Sequence, residues 1–306
     1  MYSVDWATIK TFQIYNVKTK KLVEIKPTED AFNEFFNNLP GSHSFYIEEG
    51  GADTFKLLAL KNGQKVYTIS GKKIKAIRES LSVEKTDEND ARIIGKVADE
   101  HLEYFHKFNE GDKLTAKIGV LHREYVKIVK DSTQKKNQLL AFENKLALLV
   151  SENVVKKIID KRKATIKALA SEISTINSQL TKLIQKAPIW ENYLKDIKGV
   201  GPITAAGIIG SVKDITRFPN RYSLRHFAGM ITKQGNPDYN RHLKQALYNF
   251  VEGIIQNRTE PWRALYDNMK LFYKGKHEDW TKGKVDNFAK KFVQTKFLDR
   301  MYKECA

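Results

Sequence analysis

Apolar residues recur in two rhythms along this chain, and the change of rhythm divides it. Over the first 80 residues, short apolar runs alternate with helical patterns. Ser3–Val4 and Thr11–Tyr15 read either as one strand broken by a turn or as two paired strands, and Leu22–Ile25 as another strand. Thr28 stands where an N-cap is needed. Ala31, Phe32, Phe35, Phe36 and Leu39 then repeat at helical spacing until Pro40-Gly41 stops the run. Ser44–Ile47 is a short apolar strand. Phe55, Leu57, Leu58 and Leu60 suit a helix ending at Asn62-Gly63, Lys65–Ile69 a strand, and Lys72–Leu81 a basic helix. This alternation predicts an α/β domain with a central sheet and helices on its faces.

Residues 113–186 change period. They contain no proline and one glycine, Gly119. Ile166, Leu169, Ile173, Ile176, Leu180 and Leu183 step by three and four residues, the seam of a coiled coil, and Leu139, Phe142, Leu146 and Leu149 form a similar earlier stripe. Two long helices are expected, as an antiparallel hairpin or as a coiled-coil surface for dimerisation or for a basic rod laid on nucleic acid. The plainer alternative is an intramolecular pair that connects two domains. Pro188 closes this region. Beyond it, Arg241–Ile255 reads as a helix with Leu243, Ala246, Leu247, Phe250 and Val251 on its apolar face. A last basic, aromatic helical stretch would dock through Phe288, Phe292 and Leu298.

Charge follows the same divisions. The 306-residue chain carries a net charge of +17. Residues 1–112 hold 16 basic and 18 acidic side chains, residues 113–186 hold 16 and 6, and residues 187–306 hold 21 and 12. An acid-bearing domain joined to two basic segments suggests a catalytic centre held against a polyanion. The bland reading is a set of solvated lysine faces. The expected domains are 1–112, catalytic; 113–187, coiled coil and dimerisation; and 188–306, helical. No apolar run reaches membrane-spanning length, and the first residues lack the basic and apolar blocks of a signal peptide. The one cysteine, Cys305, leaves no internal disulfide to form. A cytoplasmic, nucleoid-associated setting is expected.

Candidate chemistry lies in the acidic domain. Asp5 sits at or just inside the first strand, and Glu48 ends a later one. Asp87 and Asp90 open a helix, Glu88–Asp99, where residues three apart share a face. Active sites of open α/β sheets lie at the carboxyl ends of strands, so the four acids can converge there. Hard divalent cations prefer carboxylate oxygens, and two such ions about 3.5–4 Å apart clamp the attacking and leaving oxygens of a phosphodiester. Taken alone, Asp87 and Asp90 could be ordinary helix caps, and Glu48 a solvated strand end beside Glu49. The combination favours Asp5, Glu48, Asp87 and Asp90 as catalytic ligands of Mg²⁺ or Mn²⁺.

Nucleic-acid contacts are expected in the C-terminal part. Lys198-Gly199-Val200-Gly201-Pro202 opens a small-residue helix in the manner of a helix-hairpin-helix, where glycines bring backbone N–H groups to a phosphate. The alternative is a tight turn between packed helices. Lys233, Arg241 and Lys244 lie around the next helix start. Lys282 and Lys284 flank aromatic residues, among them Tyr273 and Trp280, that could stack on unpaired bases.

These residues resemble a known group, the RuvC-like (RNase H-like) DEDD transposases of the insertion-sequence family related to the Piv/MooV invertases. Val4-Asp5-Trp6-Ala7-Thr8 and Ile47-Glu48-Glu49-Gly50-Gly51 stand at that family's first two acidic elements. Lys85-Thr86-Asp87-Glu88-Asn89-Asp90-Ala91-Arg92 is similar to its Lys-Thr-Asp-x-x-Asp-Ala-Arg, the most specific match. Ile197–Ala205, Arg217-Phe218-Pro219, His226–Met230, Ile231–Asn236 and Leu243–Leu247 follow in the family's order. The resemblance implies metal-dependent DNA strand cleavage and joining, DNA and a structured guide RNA as partners, and a homodimer or homotetramer.

One departure stands out. The family's loop bearing a Ser-Gly pair, whose serine is the proposed nucleophile, is absent, and Gly229-Met230 runs straight into Ile231-Thr232-Lys233. Ser211, Ser223 and Tyr239 are not in comparable contexts. A metal-dependent nuclease or branched-DNA resolvase derived from such a transposase is therefore the second expectation. A non-catalytic nucleic-acid-binding protein is the third.

Overall fold

The computed structural model describes residues 1–6, 11–146, 152–231 and 239–306, which form two compact units, Met1–Lys117 and Ile118–Ala306. Leu149, Lys233 and the rest of 232–238 lie outside the described residues.

The first unit is a mixed six-stranded sheet. Its strands are β1 (Tyr2–Asp5), β2 (Phe12–Asn16), β3 (Lys21–Ile25), β4 (Ser44–Glu48), β5 (Lys65–Ile69) and β6 (His106–Lys107), in the order β3-β2-β1-β4-β5-β6. The first two segments are therefore two antiparallel strands rather than one broken strand, with Val4 opposite Ile14. β4 lies parallel to β1 with Ile47 opposite Val4, and β5 lies parallel to β4. Burial on both faces explains the near-continuous apolar run of β4. Phe45 and Ile47 belong to one core, and Tyr46 to the other.

Helices α1 (Glu29–Asn37) and α2 (Asp53–Lys61) supply Phe32, Phe36 and Phe55 to the first core. There the Phe55 ring meets Phe32 edge-on at 5.1 Å and Phe45 at 5.7 Å. Removing a ring so placed costs about 3–5 kcal/mol. Thr28 caps α1 by accepting from the Ala31 N–H. α3 (Gly71–Ser80) and α4 (Asp87–Glu100) bring Ile74, Ile93, Ile94 and Val97 to the second core with Tyr46 and Ile69.

The second unit is helical. The long helices α5 (Glu110–Leu146), which begins in the first unit, and α6 (Glu152–Ile184) run antiparallel. Arg162 Nη1 donates to the Gln138 carbonyl at 3.0 Å, and the Arg162 guanidinium lies 4.4 Å from the Phe142 ring centre. Along the predicted seam Ile176 and Leu180 are buried, whereas Ile166, Leu169, Ile173 and Leu183 are half-buried. After one turn of π-helix, Trp190–Leu194, come α7 (Pro202–Val212), α8 (Arg221–Phe227), α9 (Arg241–Asn257), α10 (Trp262–Lys276) and α11 (Lys282–Cys305).

Small residues let α7 pack tightly. A Cβ on Gly210 would lie 2.6 Å from the Gly119 Cα of α5, and one on Gly207 2.8 Å from the Ala246 Cβ of α9. The docking face of α11 differs from the sequence expectation. Val285, Ala289, Val293, Phe297, Leu298 and Met301 are buried, while Phe288 is exposed and Phe292 half-buried. The face follows the three-and-four spacing that starts at Val285, and the two aromatic rings fall beside it. Among the described residues no helix is long and apolar enough to cross a membrane.

Candidate active site

Each acid of the first unit is positioned by an identifiable local cause. Asp5 ends β1 and Glu48 ends β4. Because these strands are parallel neighbours, both carboxylates leave the sheet at the same edge. Asp87 is the first residue of α4, capped by Thr86, whose hydroxyl accepts from the Asn89 N–H. α4 rests on β1 through small residues. Ser3 Oγ donates to the Ala91 carbonyl at 2.7 Å, and a Cβ on Gly95 would lie 2.8 Å from Ser3 Oγ. This close seating brings Asp90, the residue before Ala91, to the end of β1.

The electrostatics reflect that gathering. Asp5 and Asp90 are buried; Glu48 and Asp87 are half-buried. Burial first, then the charges of Asp90, Asp87 and Glu48, push the Asp5 carboxyl up to about 7, against the pull of the Trp6 backbone N–H. Burial and the Asp90 charge also raise Glu48, opposed by Lys85, Arg78 and Lys56. The Glu48 charge is among those that reach Asp5. Its carboxylate lies at the start of α3, where a Cβ on Gly71 would come within 2.1 Å of Oε1.

Three cations border the acids, and none stands out as functional in the sequence. Arg78 of α3 places Nη1 2.7 Å and 2.8 Å from the two Asp90 oxygens, with both side chains largely buried. Lys56 of α2 is 1% exposed and pairs with Asp53 at 4.0 Å. Lys85 is exposed. A lysine between Phe55 and Leu57 in an apolar run is the one signal that could have marked Lys56. Arg78 was hidden in what reads as an ordinary basic helix face.

A divalent ion suits this donor set chemically. Four hard oxygen ligands repel one another, and burial makes the repulsion costly. Among the described residues, however, no group of three or more His, Cys, Asp or Glu side chains is close enough to hold a metal ion as they stand. Asp90 is turned to Arg78 instead.

Among the described residues, the expected nucleic-acid contacts of the second unit lie on several elements. Gly199 has φ +95°, and a Cβ there would lie 3.2 Å from Thr259 Oγ1 and 3.6 Å from the Gly253 carbonyl near the end of α9. Left-handed geometry and close packing are therefore sufficient reasons for this glycine. Gly201 caps α7 with open space beside it, and Lys198 is exposed. Arg241 and Lys244 sit at the opposite end of α9, with Lys244 Nζ 4.3 Å over the Tyr239 ring. Lys282 and Lys284 are exposed in the first turn of α11, and Lys284 Nζ lies 4.3 Å over Trp280.

Comparison with known families shows which family carries this acid-bearing sheet and helical unit. A DEDD model of the IS110 type, described as Transposase, matches residues 4–144. A second, Transposase IS116/IS110/IS902 family, matches residues 191–267. The two spans together take in more than two thirds of the chain. The chain belongs to the IS110-like transposases. No curated protein matches it. The matched spans contain all four acids and the candidates from Lys198 to Lys244, and leave Lys282 and Lys284 outside.

Proposed function

We propose that this transposase is a divalent-metal-dependent DNA recombinase whose RuvC-like catalytic centre comprises Asp5, Glu48, Asp87 and Asp90. What supports this most is one observation. Asp5 and Glu48 end two parallel neighbouring strands, Asp87 opens α4, and burial first, then the charges of Asp90, Asp87 and Glu48, raises the Asp5 carboxyl to about 7. The strand order, three antiparallel strands followed by two parallel ones, supports the RuvC-like reading of the sheet. Mg²⁺ or Mn²⁺, when bound, supplies an activated water or hydroxyl and stabilises the leaving oxygen. The chain's part is to hold four carboxylates at one edge. Burial excludes bulk water from Asp5 and Asp90, and Lys56, Lys85 and Arg78 limit the repulsion felt by Glu48.

In this reading residues 1–112 cut and join DNA. Residues 113–187 assemble a homodimer or homotetramer through the α5–α6 rod, whose seam is only partly covered within the chain. Residues 188–306 grip DNA and a structured guide RNA through Lys198, Gly199, Gly201, Lys233, Arg241, Lys244, Lys282 and Lys284. The excess of basic side chains after residue 112 is the support for these partners.

The test is strand cleavage and joining on DNA carrying the element's ends, with Mg²⁺, against the Asp87→Ala/Asp90→Ala double variant. Equal activity in the variant ends the proposal. A second reading, a metal-dependent nuclease or branched-DNA resolvase, is favoured by the direct run from Gly229-Met230 into Ile231, with no serine loop. Trapping a covalent protein–DNA adduct would exclude it.

A further inference from the structure

The acidic centre contains its own counter-ion. Arg78 enters from α3, and a single guanidinium nitrogen bridges both oxygens of Asp90 at 2.7 Å and 2.8 Å. The arginine and aspartate side chains are 12% and 8% exposed, so water screens the pair poorly. The same guanidinium lies near enough to Glu48 for its charge to oppose the rise of that carboxyl. Arg78 therefore occupies both oxygens of one of the two buried acids of the four.

We propose that Arg78 is a latch. It occupies Asp90 in the ion-free protein and must be displaced before a divalent cation can use that carboxylate. The inference rests on the metal-dependent reading above and adds a regulated step to it. Arg78 Nη1 occupies both Asp90 oxygens, so an ion that takes either oxygen meets the guanidinium there, and arginine and metal compete. The latch accounts for one finding: Asp90 is turned to Arg78, and no three ligand side chains among the described residues are set to hold an ion. It also keeps a buried acid cluster from remaining uncompensated when metal is scarce, a condition that is otherwise strongly unfavourable. Arg78 is a positioning residue here; it acts through Asp90.

The experiment is a Mn²⁺ titration of the full chain without nucleic acid, followed by the free-ion resonance signal, for wild type, Arg78→Gln and Arg78→Lys. Thermal melting is run in parallel, in chelator and in Mn²⁺. Removing a charge-assisted competitor should lower the Mn²⁺ Kd of Arg78→Gln roughly tenfold. Arg78→Lys, which keeps the charge, should stay near wild type. Arg78→Gln should also melt lower in chelator and gain more from Mn²⁺ than wild type does. A purely structural arginine gives the reverse, a damaged site that binds Mn²⁺ more weakly. If wild type binds Mn²⁺ and Arg78→Gln binds no tighter, the latch is wrong and the metal reading stands. If wild type binds no Mn²⁺, both fall. Should Arg78→Gln fail to fold, Arg78→Lys decides, because a Kd several-fold weaker than wild type would mark a structural role.

Discussion

Asp5→Asn should stabilise the ion-free protein while removing a residue that the proposed chemistry needs. The folded chain holds the Asp5 proton up to about 7, where an unfolded chain releases it near 3.8. The folded state thus binds more protons than the unfolded state between those values, and stability falls as pH rises through that window. Each tenfold gain in proton affinity corresponds to about 1.4 kcal/mol, so forcing the carboxylate to ionise opposes folding by up to about 4 kcal/mol at and above pH 7. Local relaxation and water entry reduce this, and a gain of about 2 kcal/mol for Asp5→Asn in chelator at pH 7.5 is a fair expectation. Asparagine keeps the shape and can still accept from the Trp6 N–H. At roughly 2–4 °C per kcal/mol the melting point should rise by several degrees. The advantage should shrink toward pH 4, where wild-type Asp5 is protonated, and shrink again in saturating Mg²⁺. Urea unfolding at pH 4, 6 and 7.5, with chelator and with Mg²⁺, provides the measurement. A variant no more stable than wild type at pH 7.5, or a difference that ignores pH, would refute the claim that the four acids repel one another in one place.

Three further outcomes are expected. Gly71→Ala places a methyl group within 2.1 Å of Glu48 Oε1 and must displace that carboxylate; Mg²⁺-dependent strand cleavage should drop about tenfold, with the circular dichroism spectrum and melting curve nearly unchanged. Gly210→Ala brings a Cβ to 2.6 Å from the Gly119 Cα, a backbone contact that cannot yield by rotamer change; urea unfolding should show a loss of about 1–3 kcal/mol. His122 is held down to about 4 by burial first and then by the His242 and Arg123 charges. The unfolded chain therefore takes up the proton first, stability is lost as pH falls from 6.5 to 4, and up to roughly 2 kcal/mol of that acid sensitivity should disappear in His122→Gln when unfolding is followed at pH 7 and pH 5.

Much of the fold was legible because short-range rules dominate it. Thr28 and Thr86 cap the helices that their spacing announces, and the apolar runs of β4 and β5 became central parallel strands. The acids could be placed at strand ends because alternating strands and helices force the carboxyl ends of parallel strands to one edge. What the sequence could not display was long-range seating. Whether Ser3–Val4 and Thr11–Tyr15 pair is not fixed by either segment's own pattern. Phe288 and Phe292 look like a core face by composition, yet the α11 stripe that is buried starts three residues earlier, at Val285. The Gly199 turn has the spacing of a phosphate loop, and three-dimensional packing against Gly253 and Thr259 gives it a second sufficient cause.

Arg78 shows the same limit at the site itself. A basic helix from Lys72 to Leu81 offers four cations, Lys72, Lys73, Lys75 and Arg78. Spacing alone gives no reason to separate one from the others. The fold separates them by seating α4 on β1, where Ser3 holds the Ala91 carbonyl and Gly95 admits close contact. With α4 so seated Asp90 is buried, and Arg78 reaches it from α3. An arginine on a buried acid also offsets the cost of uncompensated carboxylates, so the Mn²⁺ affinity of Arg78→Gln, rather than stability alone, separates a latch from a structural pair. In the latch proposal the acids and their arginine form one switch. Its resting position is the buried ion pair, and its working position requires the ion to win Asp90.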